Sequence, residues 1–321
     1  MQNNPQDIEL LKELAQSNLQ LKKEIEKVIV GQKDVINQIL ISIFSNGHAL
    51  LVGVPGLAKT LLVNTISETL GLSFNRIQFT PDLMPSDIIG SEIFTDKNQF
   101  EFIKGPVFTQ VLLADEINRT PPKTQAALLE SMQEKKVSYA GKNHILPQPF
   151  FVLATQNPVE QEGTYPLPEA QLDRFMFNIW VDYPSYEEEI AIVNQTTTNY
   201  KNKAETILNA EKIMAYQSVI RELPVSKAVT EYAVKLCAST RPNTAHSSAI
   251  TQKYLNWGAG PRASQYLIIG AKTHAALNGK FSPDIEDVKA VALPVLRHRL
   301  IKNYHADADG LSMDDIIKKL L

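Results

Sequence analysis

The 321-residue sequence has a single cysteine, no marked excess of charge of either sign and no long hydrophobic run. The lone Cys237 excludes an intrachain disulfide and a metal site built from several thiolates. A formal net charge of -3 excludes the overall basic surface that attracts nucleic acid or anionic lipid. No apolar stretch approaches the roughly 20 residues that span a bilayer.

The first residues, MQNNPQDIEL, lack the positive charge and the apolar segment of a secretory leader. The six histidines show neither an H-E-x-x-H motif nor a paired-ligand spacing, which argues against a catalytic zinc. With 44% hydrophobic and 21% charged residues, the chain can bury a sizeable core. We therefore expect a soluble globular protein of the cytoplasm that has no membrane partner.

Two kinds of hydrophobic pattern divide the chain near Pro184. Before that point, short apolar runs alternate with helical stretches, as in a parallel sheet covered on both faces. Beyond it, apolar residues recur every three to four positions, which is the spacing of amphipathic helices. The sequence therefore predicts an α/β fold with a parallel sheet flanked by helices over residues 1–185. A small all-α domain follows over residues 186–321.

Residues 48–60, HALLVGVPGLAKT, predict a phosphate-binding loop between a strand and a helix. Backbone N–H groups and a helix N-terminus would surround one point and favour an anion there. Lys59 would place its charge against the β and γ phosphates, and Thr60 would offer a hydroxyl to Mg2+. Ala58 stands where glycine is usual, and we expect it to be tolerated as a helical residue with negative φ. A Gly/Pro turn that only links strand to helix is the alternative.

A second apolar run, VLLADE, ends in Asp115 and Glu116. Two acids at the end of a buried strand are costly unless a cation lies beside them, and Mg2+ with ATP would be that cation. Asp115 would then hold the metal through water, with Thr60 as a direct ligand. Glu116 would orient the attacking water as a general base. The alternative is that both carboxylates cap the following segment.

Two further polar residues fit hydrolysis rather than binding alone. Asn157 follows the buried run FFVLATQ, and its amide would bond the γ phosphate or the attacking water. Pro158 makes an Asn-Pro turn a serious rival interpretation. Arg174 follows a short helix and would offset transition-state charge in a neighbouring subunit. A surface ion pair is the alternative for Arg174.

Together these segments resemble the MoxR family of AAA+ ATPases, from about Ile29 to the C-terminal lid. The segments are GVPGLAKT, GPVFTQVLLADEINRTPPKTQAALLESMQE, FFVLATQNPVEQEGTYPLPEAQLDRF and GPRASQYL. The family fold is a P-loop AAA+ core followed by a helical lid, and alanine at position 58 is ordinary in it.

The resemblance also implies roles for individual residues. It implies a Walker A motif formed by Gly53, Val54, Pro55, Gly56, Leu57, Ala58, Lys59 and Thr60, and a Walker B motif at Asp115 and Glu116. It implies sensor 1 at Asn157, an arginine finger at Arg174 and sensor 2 at Arg262, and leaves open whether Arg262 acts in its own subunit. The segment that lines the adenine pocket would contain Val30, Gly31 and Gln32.

In function, the resemblance implies a Mg-dependent ATPase with ATP and Mg2+ as cofactors, assembled as a homo-oligomeric ring, a hexamer. The family's usual work is chaperone-like remodelling or activation of a separate client protein, often one with a von Willebrand factor A domain. Residues 77–108 resemble the family's helix-2 insert, and residues 135–150 resemble the hairpin before sensor 1. Both are hypotheses for the remodelling surface.

Two other functions stay open from the sequence. A magnesium-chelatase-like or helicase-like motor would share the insert, but the sequence lacks a basic patch with interleaved aromatic residues, so nucleic acid is a disfavoured partner. A nucleotide-switched scaffold would need no general base, and this chain has retained Glu116.

Overall fold

The structure is a computed structural model of the chain and describes residues 5–95, 99–160, 162–198 and 202–321. The strands are β1 (Ala49–Val52), β2 (Phe74–Gln78), β3 (Gly90–Phe94), β4 (Phe100–Lys104), β5 (Val111–Asp115), β6 (Lys136–Tyr139), β7 (Lys142–Ile145), β8 (Phe151–Gln156), β9 (Phe177–Trp180), β10 (Leu255–Trp257) and β11 (Ile301–Lys302). The helices are α1 (Pro5–Glu26), α2 (Lys33–Phe44), α3 (Lys59–Thr69), α4 (Pro85–Ile89), α5 (Pro122–Glu134), α6 (Glu169–Leu172), α7 (Tyr186–Thr196), α8 (Ala210–Glu222), α9 (Lys227–Ser239), α10 (Ala249–Tyr254), α11 (Pro261–Leu277), α12 (Ile285–Leu296), α13 (Tyr304–Ala308) and α14 (Met313–Leu320).

A five-stranded parallel sheet forms the centre of the N-terminal part, in the order β2-β5-β8-β1-β9. Successive residues of its strands enter different cores, because side chains alternate between the two faces of a sheet. In β5, Leu113 belongs to the core that includes α2 and α3, whereas Leu112 and Ala114 pack with α5. This two-sided burial explains the continuous apolar runs, and it confirms the predicted parallel sheet flanked by helices.

Two antiparallel hairpins project from this core, β3–β4 and β6–β7. Ala140 and Gly141 form the turn of the second hairpin with φ of 48° and 76°, as a two-residue turn between twisted strands requires. The hairpins pack together, since the ring of Phe102 stacks on that of His144 with centroids 4.0 Å apart. Residues 96–98 of the predicted insert lie outside the described residues.

The C-terminal part is helical, as predicted, and also contains the short antiparallel ribbon β10–β11. Helix α11 packs against α9 and α12. Gly270 of α11 allows this close approach to α12, because a Cβ at position 270 would lie only 3.3 Å from the side chain of Val291. Helix α1 packs on both α8 and α11, with Leu14, Leu21 and Ile25 fully buried. The first helix of the chain therefore shares its apolar core with the last third of the chain.

None of the helices within the described ranges is both long and apolar enough to cross a membrane. Helix α1, with 22 residues, carries charged and polar side chains along its length. The cytoplasmic location stays a prediction.

Candidate active site

The candidate site lies at the carboxyl edge of the sheet, where β1, β2, β5 and β8 all end because they run parallel. Residues 53–60 follow β1, Asp115 ends β5, and Asn157 follows β8. A cavity of about 370 Å³ lies there. It is lined by Pro55, Gly56, Leu57, Ala58, Lys59, Thr60, Arg76, Gln78, Asp115, Glu116 and Asn157. The sheet thus brings together the predicted loop, acids and amide.

The loop after β1 accepts hydrogen bonds from the side chain of Lys59 through its own carbonyl oxygens. Lys59 begins α3, and its Nζ donates to the carbonyl oxygens of Gly53 at 2.6 Å and Val54 at 3.3 Å. Partial burial lowers the pKa of Lys59 from its ordinary value, while Asp115 and Glu116 act in the opposite direction. Position 53 requires glycine, because an added Cβ would lie 2.7 Å from the carbonyl oxygen of Val181.

Ala58 adopts a backbone conformation that differs from the one expected from the sequence. It immediately precedes α3 with φ of 52° and ψ of 27°, so its backbone is left-handed. The expectation of a helical residue with negative φ was wrong. The left-handed conformation costs a residue with a Cβ about 1 kcal/mol or more, because the Cβ approaches the following carbonyl. Gln32 and Glu116 have φ of 55° and 58°, so the strain recurs around the candidate site.

Ala58→Gly is therefore expected to stabilise the protein. Glycine removes the left-handed strain, and little packing is lost because the Ala58 side chain is exposed. We expect the thermal unfolding midpoint to rise by about 2 °C. The matched control is Ala126→Gly on the exposed face of α5, which should lower the midpoint because glycine disfavours a regular helix. A lower midpoint for Ala58→Gly would contradict the strain assigned here.

Asp115 is held from both sides. Thr155 donates from its Oγ1 to Asp115 Oδ1 at 2.5 Å, and Arg76 donates to Oδ2 through Nε at 3.1 Å and Nη2 at 2.7 Å. The same Thr155 hydroxyl oxygen accepts from the backbone N–H of Glu116 at 2.8 Å. One threonine of β8 therefore fixes the relative position of both acids.

Glu116 is engaged by two side chains that line or border the cavity. Gln78 donates from Nε2 to Glu116 Oε2 at 2.8 Å, and Nη1 of Arg119 lies 3.4 Å from the same oxygen. Glu116 precedes a short 3-10 turn, Ile117–Arg119, without capping it through its side chain. The alternative of a carboxylate that caps the next segment therefore does not hold for Glu116.

Asn157 forms the turn that was the rival interpretation, and it also lines the phosphate-loop cavity. Its Oδ1 accepts from the backbone N–H of Val159 at 3.1 Å, which is a turn of the kind Asn forms before Pro. Its Nδ2 donates to Glu160 at 3.3 Å, and Glu160 in turn pairs with Arg119. The residue still lines the phosphate-loop cavity, so the turn orients the Asn157 amide at the site.

A larger cavity of about 690 Å³ adjoins the other side of the loop. Its lining includes Val30, Gln32, Leu57, Leu61 and Val193. The amide of Gln32 donates to the carbonyl of Leu57 at 3.4 Å, and its Oε1 is buried without a hydrogen-bond partner. This cavity therefore offers a mostly apolar surface to a ligand.

Gly31 borders this region, and its backbone conformation favours glycine. Its φ is 70°, and an added Cβ would lie 2.3 Å from Glu188 Oε1 near the start of α7. The backbone before α2 therefore approaches α7 closely beside the larger cavity.

A nucleoside triphosphate with Mg2+ fits the residues of the two cavities. The described ranges contain no cluster of three or more His, Cys, Asp or Glu side chains that would hold a metal by itself. Mg2+ does not need one, because it keeps several waters and binds one or two carboxylates together with phosphate oxygens. Thr60 and Asp115 offer that small donor set beside Lys59.

Within the described chain, Arg174 and Arg262 lie outside the two cavities beside the phosphate-binding loop. The Arg174 guanidinium makes no hydrogen bond or ion pair with any described residue, so the predicted alternative of a surface ion pair is not formed. Arg262 Nη1 lies 3.1 Å from Asp173 Oδ2, next to Arg174 in the chain.

Arg76, Gln78 and Arg119 belong to the site but are not predicted from the sequence. The first two lie on β2, an edge strand whose polar residues resemble an ordinary solvated face. The available signal was the position of Gln78 at the carboxyl end of a strand beside Asp115, its register partner. That pairing depends on the strand order, which a single sequence does not provide.

The chain is similar to known proteins over nearly its whole length. Residues 48–177 match the model of the ATPase family associated with various cellular activities (AAA), and residues 247–320 match the AAA lid domain. The chaperone MoxR1 of Mycobacterium tuberculosis is 44% identical over 93% of this chain and 79% of its own length. The protein MoxR of Paracoccus denitrificans is 31% identical over 85% of each chain. A Cytophaga hutchinsonii crystal structure, assigned as an ATPase, is 43% identical with a TM-score of 0.89, covering 97% of this chain and 95% of that one.

Proposed function

This chain belongs to the MoxR family of AAA+ ATPases, and from that premise we propose that it is a Mg-dependent ring ATPase that remodels or activates client proteins. The observation that carries the proposal is the convergence of Lys59, Asp115, Glu116 and Asn157 on one cavity at the carboxyl edge of the sheet. Such a cavity binds, orients and activates a phosphoanhydride and a water together.

We assign residues 1–185 to the nucleotide-binding core and residues 186–321 to the lid. The change from alternating strands to helices after β9 supports this division. Helices α1 and α2 pack on α8 and α11, so the two parts share a hydrophobic core. Movements of the lid would therefore act on the core through packed helices rather than through a loose linker.

In this proposal Walker A, residues 53–60, binds the phosphates of ATP through its backbone N–H groups and Lys59. Thr60 and Asp115 would hold Mg2+, which supplies neutralisation of the charge that develops on the phosphates. Thr155 and Arg76 hold the two oxygens of Asp115, so its carboxylate has a fixed orientation. The adenine would lie in the larger cavity, bordered by Val30, Gly31 and Gln32.

Glu116 would orient the attacking water and accept its proton as general base. Its carboxylate accepts a hydrogen bond from Gln78, and the guanidinium of Arg119 lies beside it. One neutral and one positive group therefore orient the carboxylate at the cavity. Asn157, oriented by its turn, would hydrogen-bond the γ phosphate or the water as sensor 1.

Arg174 would serve a neighbouring subunit, and Arg262 would act as sensor 2 in its own subunit or in the next. The free guanidinium of Arg174 and its location away from its own loop cavities support a role in trans. An arginine that approaches the γ phosphate from the next subunit completes the site only on assembly. We therefore propose a homo-oligomeric ring, a hexamer, with active sites between subunits.

The client is a separate protein, and we propose one with a von Willebrand factor A domain, as the family resemblance implies. The β3–β4 hairpin supports a protein partner, because it exposes Ile93, Phe94, Phe100 and Ile103. Exposed apolar groups of this kind bind proteins, whereas a nucleic-acid surface would need clustered positive charge.

The role in trans is tested by mixing subunits. Arg174→Ala alone should lower ATP turnover by about 1000-fold, because the transition-state charge loses its partner. Mixed 1:1 with Lys59→Ala subunits, whose fingers are intact, it should recover about one quarter of wild-type specific activity if subunits assemble at random around a ring. Steady-state phosphate release measures both values.

The control uses the double variant Lys59→Ala/Arg174→Ala as the added subunit, which supplies no finger and should rescue nothing. Equal activity in the two mixtures, or wild-type turnover of Arg174→Ala alone, would rule out a finger in trans.

A further inference from the structure

The short segment 173–176, which contains Arg174, accepts hydrogen bonds from several side chains of the C-terminal helical part. Arg262 bonds the carboxylate of Asp173, and Tyr266 donates to the carbonyl of Arg174 at 3.3 Å. His298 bonds the carbonyl of Phe175 at 3.0 Å through Nε2. Arg299 makes the remaining and most numerous contacts. We call Tyr266, His298 and Arg299 the finger clamp.

Arg299 uses every N–H of its guanidinium. Nε donates to Asp173 Oδ1 at 2.7 Å, and Nη2 donates to the carbonyls of Asp173 at 3.0 Å and Phe175 at 2.7 Å. Nη1 donates to the carbonyl of Met176 at 3.2 Å and to that of Val295 in α12. One planar group therefore binds Asp173, Phe175 and Met176 of the finger segment and the last turn of α12 at once.

The burial of Arg299 gives these contacts weight. Its side chain is 2% exposed, and the guanidinium lies 5.0 Å from the ring of Tyr266. A buried guanidinium is tolerated only where its donors are satisfied, so the surrounding carbonyls are held in one arrangement. Because the guanidinium is buried, any movement of residues 173–176 that leaves one of its N–H groups without an acceptor costs free energy.

By contrast, the side chain of Arg174 itself is not held. Within the described residues its guanidinium has no hydrogen-bond or ion-pair partner, while its backbone is fixed on both sides. The segment thus has a rigid base and a free charged end. This is the arrangement expected of a group that must reach a target outside its own chain.

We infer that Arg299 is a positioning residue for Arg174, and that through it the lid sets where the finger points. The inference rests on the proposed role of Arg174 in trans. Because Tyr266 lies in α11, Arg299 lies in the turn after α12 and residues 173–176 belong to the core, a tilt of the lid would shift the finger. Nucleotide-dependent lid movement in one subunit would then alter turnover in its neighbour.

The test is Arg299→Lys in the full-length chain. Lysine keeps the positive charge beside Asp173 but has no planar fork to bind the carbonyls of Phe175 and Met176. We expect kcat to fall by about 10-fold to 100-fold with KM for ATP within about twofold of wild type, because misplacement by about 1 Å costs rate and not binding.

Mixing distinguishes positioning from general damage. Lys59→Ala subunits carry an intact finger and clamp, so a 1:1 mixture with Arg299→Lys should exceed the activity of either variant alone. The same mixture made with Lys59→Ala/Arg174→Ala should show no gain. If Arg174→Ala is rescued by Lys59→Ala but Arg299→Lys is not, the role of Arg299 is wrong. If neither is rescued, the proposed finger in trans has failed instead.

Tyr266→Phe serves if Arg299→Lys does not fold, as judged by its thermal midpoint and ATP affinity. It removes only the hydroxyl that bonds the Arg174 carbonyl and leaves the ring beside Arg299. We expect a loss in kcat of about fivefold, since one hydrogen bond contributes about 1 kcal/mol, and more activity in the mixture with Lys59→Ala than in the mixture with Lys59→Ala/Arg174→Ala. An unchanged kcat for Tyr266→Phe in that case would overturn the inference.

Discussion

Glu116→Gln is expected to lower ATP turnover by about 100-fold or more while ATP still binds. Glutamine preserves the size of the side chain and its ability to bond Gln78, but it cannot accept the proton of the attacking water. Phosphate release under saturating ATP measures the rate, and titration with a fluorescent ATP analogue measures affinity.

The matched control is Glu130→Gln, the same chemical change on the exposed face of α5. It should keep turnover within about twofold of wild type, since exposed substitutions away from a site have small effects. Turnover of Glu116→Gln equal to that of the control would remove Glu116 from the role of base and point to another group at the cavity.

Lys59→Ala should abolish ATP binding at ordinary concentrations, with affinity reduced by about 100-fold or more. Lys59 is the cation of the phosphate-loop cavity nearest the loop backbone, and the two acids beside it would otherwise repel the phosphates. The substitution also removes the bonds from Nζ to the carbonyls of Gly53 and Val54, so the loop loses its internal support.

Equilibrium titration with the fluorescent analogue measures the loss, and Lys123→Ala, an exposed lysine at the start of α5, is the control. A dissociation constant for Lys59→Ala within threefold of the control would mean that the cavity at residues 53–60 does not hold the phosphates.

The sequence predicts those strands that are buried on both faces of the sheet. Strands β1, β5, β8 and β9 are predicted from their apolar runs because each is covered on both faces. Strand β2 is not, because this edge strand, FNRIQ, places polar residues among apolar ones. Its contribution to the site, Arg76 and Gln78, becomes visible only when the strand order places it beside β5.

Local backbone conformation is the second feature that the sequence does not predict. The expectation that position 58 tolerates alanine depends on a negative φ, yet Ala58 is left-handed. Which residues carry strain is decided by how the loop closes between β1 and α3 and not by the residue type. The contacts of Arg299 with residues 173–176 likewise join positions about 125 residues apart, a pairing that helical periodicity does not reveal.

The packing of α1 on the last third of the chain affects the order in which the protein can fold during synthesis. Asn18 donates to the carbonyl of Leu277, 259 residues later, and Ser17 meets Tyr216, 199 residues later. The apolar stripe of α1 leaves the ribosome before its partners on α8 and α11 are made. Until those helices emerge, the part of the stripe that they bury remains uncovered, and such exposed surfaces are where nascent chains associate wrongly. The chain would therefore depend on protection while it is being made.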